Sequence, residues 1–366
     1  MTNIFVVPLE QLPQRYTEQW YTAIPNDLKA AIEKRSINNV HVQNVDGVEP
    51  KTDATTSGAF LNFAHTNAFK ATQVEAISHL FTQDKVKAGD AFLFTDIWHF
   101  GITALKYMSE LLDIPVGIYA IAHAGAYDPS DILGMKMSKP WPWHQERAWY
   151  YACDSVFYAT EFHRQMFLRN LEIPAHDHHK AVVSGQPHSA IIHHMTTVVQ
   201  QASVQQGVIW PHRYNEDKQP MIAEDLSASM NRPWCITQQM KLNKDEYYRT
   251  LASHQVLFSC SLHENLGISV MEGVLAGVIP VLPDRCSYSE MYMPDFLYPS
   301  SWTESWSSYQ THKHELTAFI QHRLDHPKKY SRQMVKQKKI LKERYLNADR
   351  MFDQMVKHVA ITTNTQ

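Results

Sequence analysis

Two glutamates, Glu264 and Glu272, stand eight positions apart in the stretch SCSLHENLGISVMEGVLAGVIPVLPDR, from Ser259 to Arg285. The stretch reads as strand, loop, helix, glycine stop and strand, with Gly277 where a helix ends and Val278 to Leu282 re-entering a sheet. Glu264 falls in the loop and Glu272 about two turns into the helix, so at about 100° per residue they lie roughly 80° apart around its axis. Carboxylates so placed do not share one proton, but they can grip two ends of one extended ligand. Between them, the N–H groups of Leu266, Gly267 and Ile268 open a helix, an anion site suited to a diphosphate. Gly267 lets a phosphate approach the backbone. The arrangement suits a nucleotide sugar, with sugar hydroxyls on Glu264, phosphates at the Asn265–Leu266–Gly267 helix start and ribose hydroxyls on Glu272. The plainer reading is two surface glutamates on an amphipathic helix. The spacing alone recurs by chance, and the strand, glycine and proline framing is what favours a site.

A second loop carries cations. VIWPHRYNEDKQP, from Val208, reads as a strand followed by His212, Arg213 and Lys218. Arginine and lysine just past a strand end can neutralise a departing diphosphate; Arg213 could instead pair with Glu216 or Asp217 on the surface.

The elements that must position these residues alternate. Apolar strands are expected at 4–7, 91–95, 116–123 and 155–159, with helices ending near Leu80, spanning 102–112 and spanning 146–152. The pattern restarts in the second half: AVVSGQP at 181–187 reads as a strand and loop leaving the first domain, followed by strands at 207–211, 232–237, 256–261 and 278–282, and helices at 247–252 and 265–277. Alternation of this kind predicts an α/β protein with parallel sheets and helices on both faces. Ligands of such sheets bind at the carboxyl ends of the strands. With 366 residues, 44% of them hydrophobic, two domains with real cores are expected, divided between about 175 and 206.

Composition closes several routes. The net charge of -3 excludes a wholly basic nucleic-acid coat, though not a local basic face. No apolar run reaches the roughly 18 residues a bilayer requires, and the N-terminus lacks the pattern of a signal peptide, so an intracellular, cytoplasmic protein is expected. Cys153, Cys235, Cys260 and Cys286 form no CxxC pair and read as reduced, buried thiols. Of 21 histidines, His176, His178 and His179 cluster, as do His188, His193 and His194. They fall in a polar, linker-like stretch and read as solvated loop rather than as metal ligands. The segment 328–350 holds eight Lys/Arg before Asn347, among apolar Met334, Ile340, Leu341 and Tyr345. It reads as a solvated amphipathic helix, or as one that also offers a positive surface to a polyanion.

At these residues the sequence resembles retaining glycosyltransferases of the GT-B fold that carry the Glu-x7-Glu motif. WPHRYNEDK and SLHENLGISVMEGVLAGVIPVLPDRCSYSEMY are also similar to the C-terminal half of tRNA-queuosine mannosyltransferases. The N-terminal half departs from those enzymes. FVVPLEQLPQRYTEQWY, TTSGAFLNFAHTNAFK, GDAFLFTDIWHFG, AIAHAGAYDPSDILG and YATEFHRQMF look more like glycosyltransferases of large tailed bacteriophages, which modify 5-hydroxymethylpyrimidines in phage DNA. The resemblance covers most of the chain, and its donor-half motif is the more specific part. It implies two Rossmann-like domains facing across a cleft: an acceptor domain at 1–180, a nucleotide-sugar domain at 181–345, and a last helix, about 346–366, packing back on the first. Arg213 and Lys218 match the phosphate-binding pair, Glu264 the residue that holds the transferred sugar, and Glu272 the one that holds the donor ribose. Asn265, Leu266 and Gly267 match the helix-start loop.

The resemblance further implies transfer from a UDP-sugar, UDP-glucose or a UDP-pentose such as UDP-arabinose, to 5-hydroxymethylcytosine in duplex DNA. No DxD-type carboxylate pair stands out, so no metal is expected. On the acceptor side, Asp96 and His123 end buried strands and would point into the cleft, where either could take or orient the acceptor proton. Asp96 could instead cap the following helix. Trp98 and Tyr127 follow these two residues as acceptor contacts. Trp141, Trp143 and Trp149, in a loop from Ser138, could stack on an unpaired base or pack as a lid. His163 and Arg164 could touch acceptor phosphate. The alternatives are a transferase acting on tRNA or a small glycan, and a non-catalytic protein that binds nucleotide sugars or nucleic acid.

Overall fold

The computed structural model describes residues 2–11, 16–49, 62–199 and 207–365. Of the stretches quoted above, 12–15, 55–61 and 200–206 lie outside the described residues. The chain divides into two compact units. The first comprises 1–159, 163–187 and 348–366, and the second 160–162 and 188–347.

In the first unit the elements run β1 (Thr2–Val7), α1 (Tyr16–Lys34), β2 (Val40–Asn44), α2 (Phe63–Thr82), β3 (Ala91–Phe94), α3 (Gly101–Leu111), β4 (Gly117–Ile121), α4 (Ile132–Lys136), α5 (Trp141–Ala152), β5 (Ser155–Tyr158), α6 (Glu161–Asn170) and β6 (Ala181–Val183). The strands form one parallel sheet in the order β2-β1-β3-β4-β5-β6. Side chains alternate across it, as the two-residue period of a strand requires. Ile4, Val6, Ala91, Leu93, Tyr119, Ile121, Phe157 and Val182 point to one face and share a single buried cluster. Phe5 and Phe92 point the other way and stack with ring centres 4.6 Å apart. β6 pairs with β5, so 181–183 completes this sheet and does not start the second unit.

The second unit runs α7 (Ser189–Val199), β7 (Val208–Trp210), α8 (Pro220–Ser229), β8 (Trp234–Ile236), α9 (Lys244–Ala252), β9 (Val256–Phe258), α10 (Ile268–Ala276), β10 (Ile279–Pro283), α11 (Cys286–Met291), β11 (Leu297–Tyr298), α12 (Trp306–Asp325) and α13 (Ser331–Ile340). Its sheet is also parallel, in the order β11-β10-β9-β7-β8. The last helix, α14 (Asp349–Thr365), belongs to the first unit. Its Met351, Phe352, Met355, Val356 and Val359, with Ala348 just before it, repeat at helical spacing. Together with Trp20, Ile24, Leu28 and Ile32 of α1 they cover the face bearing Ile4 and Leu93.

Three sequence expectations change. The second histidine cluster is not linker: Ile191, Met195 and Val198, buried at helical spacing, make α7 an amphipathic helix, and His188 is buried at its start. His176, His178 and His179 sit in an ordered 3-10 turn, Ala175–Lys180. The basic tail is not one helix: a 3-10 turn at Pro327–Tyr330 leads into α13, which widens into a π turn at Leu341–Tyr345. No helix among the described residues is long and apolar enough to cross a membrane.

Met355 is fully buried between α14 and the sheet. Met355→Ala should therefore cost about 2–5 kcal/mol, read as a lower midpoint in urea unfolding.

Candidate functional site

The second unit builds its site where β7, β9 and β10 end. The loop after β7 turns at Gln219, whose φ is 52°, an unusual value for a residue with a side chain. Its amide offsets this by donating to the carbonyls of Cys260 and Thr303, each at 2.6 Å. The turn presents Lys218, which is only 6% exposed. The Lys218 ammonium donates to Glu264 Oε1 at 2.8 Å and to the His263 carbonyl at 2.6 Å, and lies 3.0 Å from Asp217 Oδ2. These three acceptors match its three hydrogens. Lys218 and Glu264, predicted separately as phosphate and sugar ligands, are thus an ion pair.

Burial alone would raise the Glu264 carboxyl, but Lys218, by charge and hydrogen bond, together with His212 and His263 holds the group below its ordinary range. Burial alone would lower Lys218, and Glu264 followed by Asp217 reverses that. His212 lies with Nδ1 3.9 Å from Glu264 Oε1, and burial brings its pKa down to about 4, so it faces the carboxylate as a neutral ring. Arg213 is exposed. Leu262 N–H donates to the Asp217 carbonyl at 2.7 Å and ties this loop to the Glu264 loop.

Helix α10 starts at Gly267, whose φ of 71° belongs to the left-handed region. A Cβ there would sit 2.9 Å from the ring of Tyr288, a fully buried residue on α11. The first N–H groups of α10 have no acceptor within the helix, so they are donors that an anion at the loop Asn265–Leu266–Gly267 could use. Glu272 lies further along, 6% exposed, with the Tyr248 and Tyr247 hydroxyls donating to its two oxygens at 3.1 and 3.2 Å. Burial raises it to about 7 against those hydrogen bonds. Each carboxylate oxygen has a second lone pair, so a diol can still be accepted.

In the first unit, Asp96 and His123 come together beyond the ends of β3 and β4. Asp96 pairs with Lys70 at 3.0 Å and accepts from Trp98 N–H at 3.0 Å. Burial would raise its pKa, but Lys70 and then His123 prevail and lower it. Asp96 does not cap a helix, because α3 begins only at Gly101, after Phe100. His123 contacts the Thr95 carbonyl at 2.7 Å, and burial lowers its pKa.

Glu146 carries no signal of its role in the sequence. It is 1% exposed and pushed to about 7 by burial, and it accepts Trp98 Nε1–H at 2.9 Å and Ala126 N–H at 2.6 Å. It therefore ties together the two loops that carry Asp96 and His123. Lys70, Tyr247, Tyr248 and Tyr288 were missed as well. Each acts on a residue distant in sequence, and nothing local marks them.

Three acceptor contacts are corrected. Tyr127, expected as an acceptor contact, and His163, expected near acceptor phosphate, are buried and bonded to each other, with Phe167 packed against the Tyr127 ring, so both sit in the core. Arg164 spends its guanidinium on the Ala181 and His178 carbonyls. The tryptophan loop is the helix α5: Trp149 packs edge-on against Trp98 with ring centres 4.9 Å apart, Trp143 donates to the Ala126 carbonyl at 3.0 Å, and Trp141 stays exposed. Among the described residues no group of three or more His, Cys, Asp or Glu converges on a metal position.

No family model matches the chain. It is similar to tRNA-queuosine alpha-mannosyltransferase of Drosophila melanogaster, 24% identical over a match covering 26% of this chain and 32% of that protein, so the chain spans about a third of the length of that curated relative. Among solved structures it is similar to sucrose-phosphate synthase from Thermosynechococcus elongatus, with TM-score 0.62, 12% identity and all of both chains covered. It is also similar to the catalytic domain of starch synthase IV from Arabidopsis thaliana bound to ADP and acarbose, with TM-score 0.59, 10% identity and 99% of each chain covered. These likenesses establish the fold as GT-B, two parallel-sheet α/β units.

Two outcomes test the site's physics. Gly267→Ala should destabilise more than Gly277→Ala in denaturant unfolding. Both positions have positive φ, a strain of about 1–3 kcal/mol for other residues, but a Cβ at 277 meets nothing nearer than Lys338 Nζ at 3.5 Å. The raised Glu272 carboxyl binds a proton more tightly folded than unfolded, so its contribution to stability is full below the ordinary glutamate range and is lost as pH rises through about 7. Stability measured across that window should fall less steeply in Glu272→Gln than in the parent protein, and an identical slope would remove the assignment.

Proposed function

We propose that this chain is a glycosyltransferase that moves a sugar from a UDP-sugar, UDP-glucose or a UDP-pentose such as UDP-arabinose, to the hydroxyl of 5-hydroxymethylcytosine in DNA. The observation that carries the reading is the Lys218–Glu264 pair, set at the start of α10 beside Gly267. It joins an ionised carboxylate for sugar hydroxyls to a helix start for phosphates in one place. The GT-B fold and the nucleotide held by starch synthase IV in its complex support a nucleotide-sugar donor.

In the reaction the bond from the sugar's anomeric carbon to the donor phosphate oxygen breaks, and the acceptor oxygen bonds to that carbon. The electron pair leaves with the nucleoside diphosphate, and a departing phosphate oxygen takes the acceptor proton. The developing negative charge is met by the N–H groups of α10, by exposed Arg213 and by Lys218. Since Lys218 already holds Glu264, its larger contribution is to keep that carboxylate ionised and aimed. Glu272 accepts the ribose hydroxyls beside Tyr247 and Tyr248. In the first unit Asp96, His123 and Trp98 face the acceptor, with Glu146 fixing their loops. The enzyme works in the cytoplasm, that of the host cell for a phage-encoded protein.

A second reading is supported by the similarity to the Drosophila tRNA-queuosine mannosyltransferase: the acceptor would be a modified nucleoside of tRNA.

Supplying hydroxymethylated DNA and tRNA side by side with radiolabelled nucleotide sugars tests both. Label should enter the DNA, and label in tRNA alone would replace the first reading with the second. Glu264→Ala should reduce transfer by at least about a thousandfold with thermal unfolding still cooperative, since it removes the sugar contact and leaves Lys218 buried without its main partner. Unchanged turnover would exclude the donor site.

A further inference from the structure

The segment 328–344 carries eight Lys/Arg and a single acidic residue, Glu343. The fold sorts them. Tyr330, Met334, Gln337 and Leu341 form a buried seam at alternating spacings of four and three, with Gln337 donating to the Met291 carbonyl and accepting from Met293 N–H, both at 2.8 Å. The opposite face of α13 presents Arg332, Lys336 and Lys339, all exposed. Of the three, only Lys339 forms an ion pair among the described residues, with Glu343 at 3.8 Å. The helix is a rod about 15 Å long, basic on its outer side.

Along one edge of the rod lies a cavity of about 380 Å³, lined by His254, Gln255, Gly277, Lys328, Ser331 and Lys338 among others. It opens at the amino ends of β9 and β10, since Gln255 and Gly277 precede those strands. The donor loops leave the carboxyl ends, about 16 Å away along five-residue β10. Neither Lys328 nor Lys338 forms an ion pair among the described residues. Lys338 is partly buried beside the C-terminal end of α10, whose carbonyl dipole helps a cation there without neutralising it. Burial, then the neighbouring Lys342, lowers its proton affinity, as befits an ammonium lacking a countercharge.

A single phosphate would occupy the cavity and leave the outer row of cations unused. A phosphodiester chain satisfies both. We propose that the outer face of α13 and the adjoining cavity bind the phosphate backbone of the nucleic-acid acceptor, one phosphate entering between Lys328 and Lys338, at the end of the sheet opposite the donor site. The proposal rests on the reading above only in taking the acceptor to be a nucleic-acid polymer. Such an anchor carries no base specificity; it raises the local concentration of acceptor, and salt weakens it.

The test compares the parent protein with Arg332→Glu/Lys336→Glu and with Lys328→Ala/Lys338→Ala, each checked for cooperative melting. Binding of a short DNA duplex and of tRNA is followed by fluorescence anisotropy over a salt series. The charge-reversal pair should weaken binding by at least about tenfold and flatten the plot of log affinity against log salt by about two, and the alanine pair should do so less. The polymer more affected identifies the source of the backbone. Transfer to the free nucleoside 5-hydroxymethyl-2′-deoxycytidine, which has no phosphate, should be unchanged. Parental affinity and slope for both polymers in the folded variants would overturn the anchor while leaving the acceptor reading intact. Loss of binding with no glycosylation of any hydroxymethylated acceptor would overturn the acceptor reading and keep the anchor.

Discussion

The second unit depends on one buried ion pair. Lys218 and Glu264 meet at 2.8 Å in a place where neither charge could be kept alone, because removing one partner of such a pair leaves the other uncompensated at a cost of about 3–5 kcal/mol. Much of the surrounding structure keeps the two together. Gln219 accepts a left-handed backbone to turn the lysine inward, Asp217 joins its own loop to that of Glu264 through the Leu262 N–H, and Ser287 N–H bonds the Glu264 carbonyl at 3.3 Å. Buried ion pairs in general hold a fold no better than well-packed hydrophobic residues of similar volume. What the ion pair supplies is an ionised carboxylate that is mostly buried yet reaches the start of a helix.

The two glutamates that bracket α10 have opposite environments. Glu264 has a cation beside it and stays ionised; Glu272 has two tyrosine hydroxyls and is pushed to about 7 by burial. Carboxyl groups driven apart in this way take different roles. The first can accept strong hydrogen bonds from sugar hydroxyls. The second, near neutrality, can both accept from and donate to a diol at little cost in desolvated charge.

The strand, loop and helix order of both units was legible because the apolar runs of a parallel sheet and the glycine at a helix end are local signals. So was the place of Glu264, since a polar run between strand and helix has to lie at the strand's carboxyl end. What could not be read was the partner of each charged group. Lys218 looked like a free phosphate ligand because its three acceptors are set by a turn and by a loop more than forty residues on. Tyr127 and His163 looked like contacts because a polar residue after a strand can face a ligand or a core, and only the packing of Phe167 decides between them. The Trp141–Pro142–Trp143 run did carry a usable signal. Proline in the first turn of a helix is favoured, and α5 begins there.

The first unit repeats the device that organises the second. Lys70 pairs with Asp96 at 3.0 Å and also donates to the Trp98 carbonyl, just as Lys218 pairs with Glu264 and donates to the carbonyl of His263. Both lysines hold a carboxylate and the backbone of its own loop at once, fixing the loop and the charge of its acid together. This bears on proton transfer. Asp96 has one oxygen on Lys70 and the other on the Trp98 N–H, and its pKa lies below the ordinary range, so it is a poor base for a hydroxyl. His123, neutral and held by the Thr95 carbonyl, is the better acceptor of the two, but its ring is already lowered by burial. In the proposed transfer the leaving phosphate gains basicity as its bond to the sugar breaks, where these side chains offer little. The first unit's carboxylates are therefore better suited to orienting an acceptor than to deprotonating it.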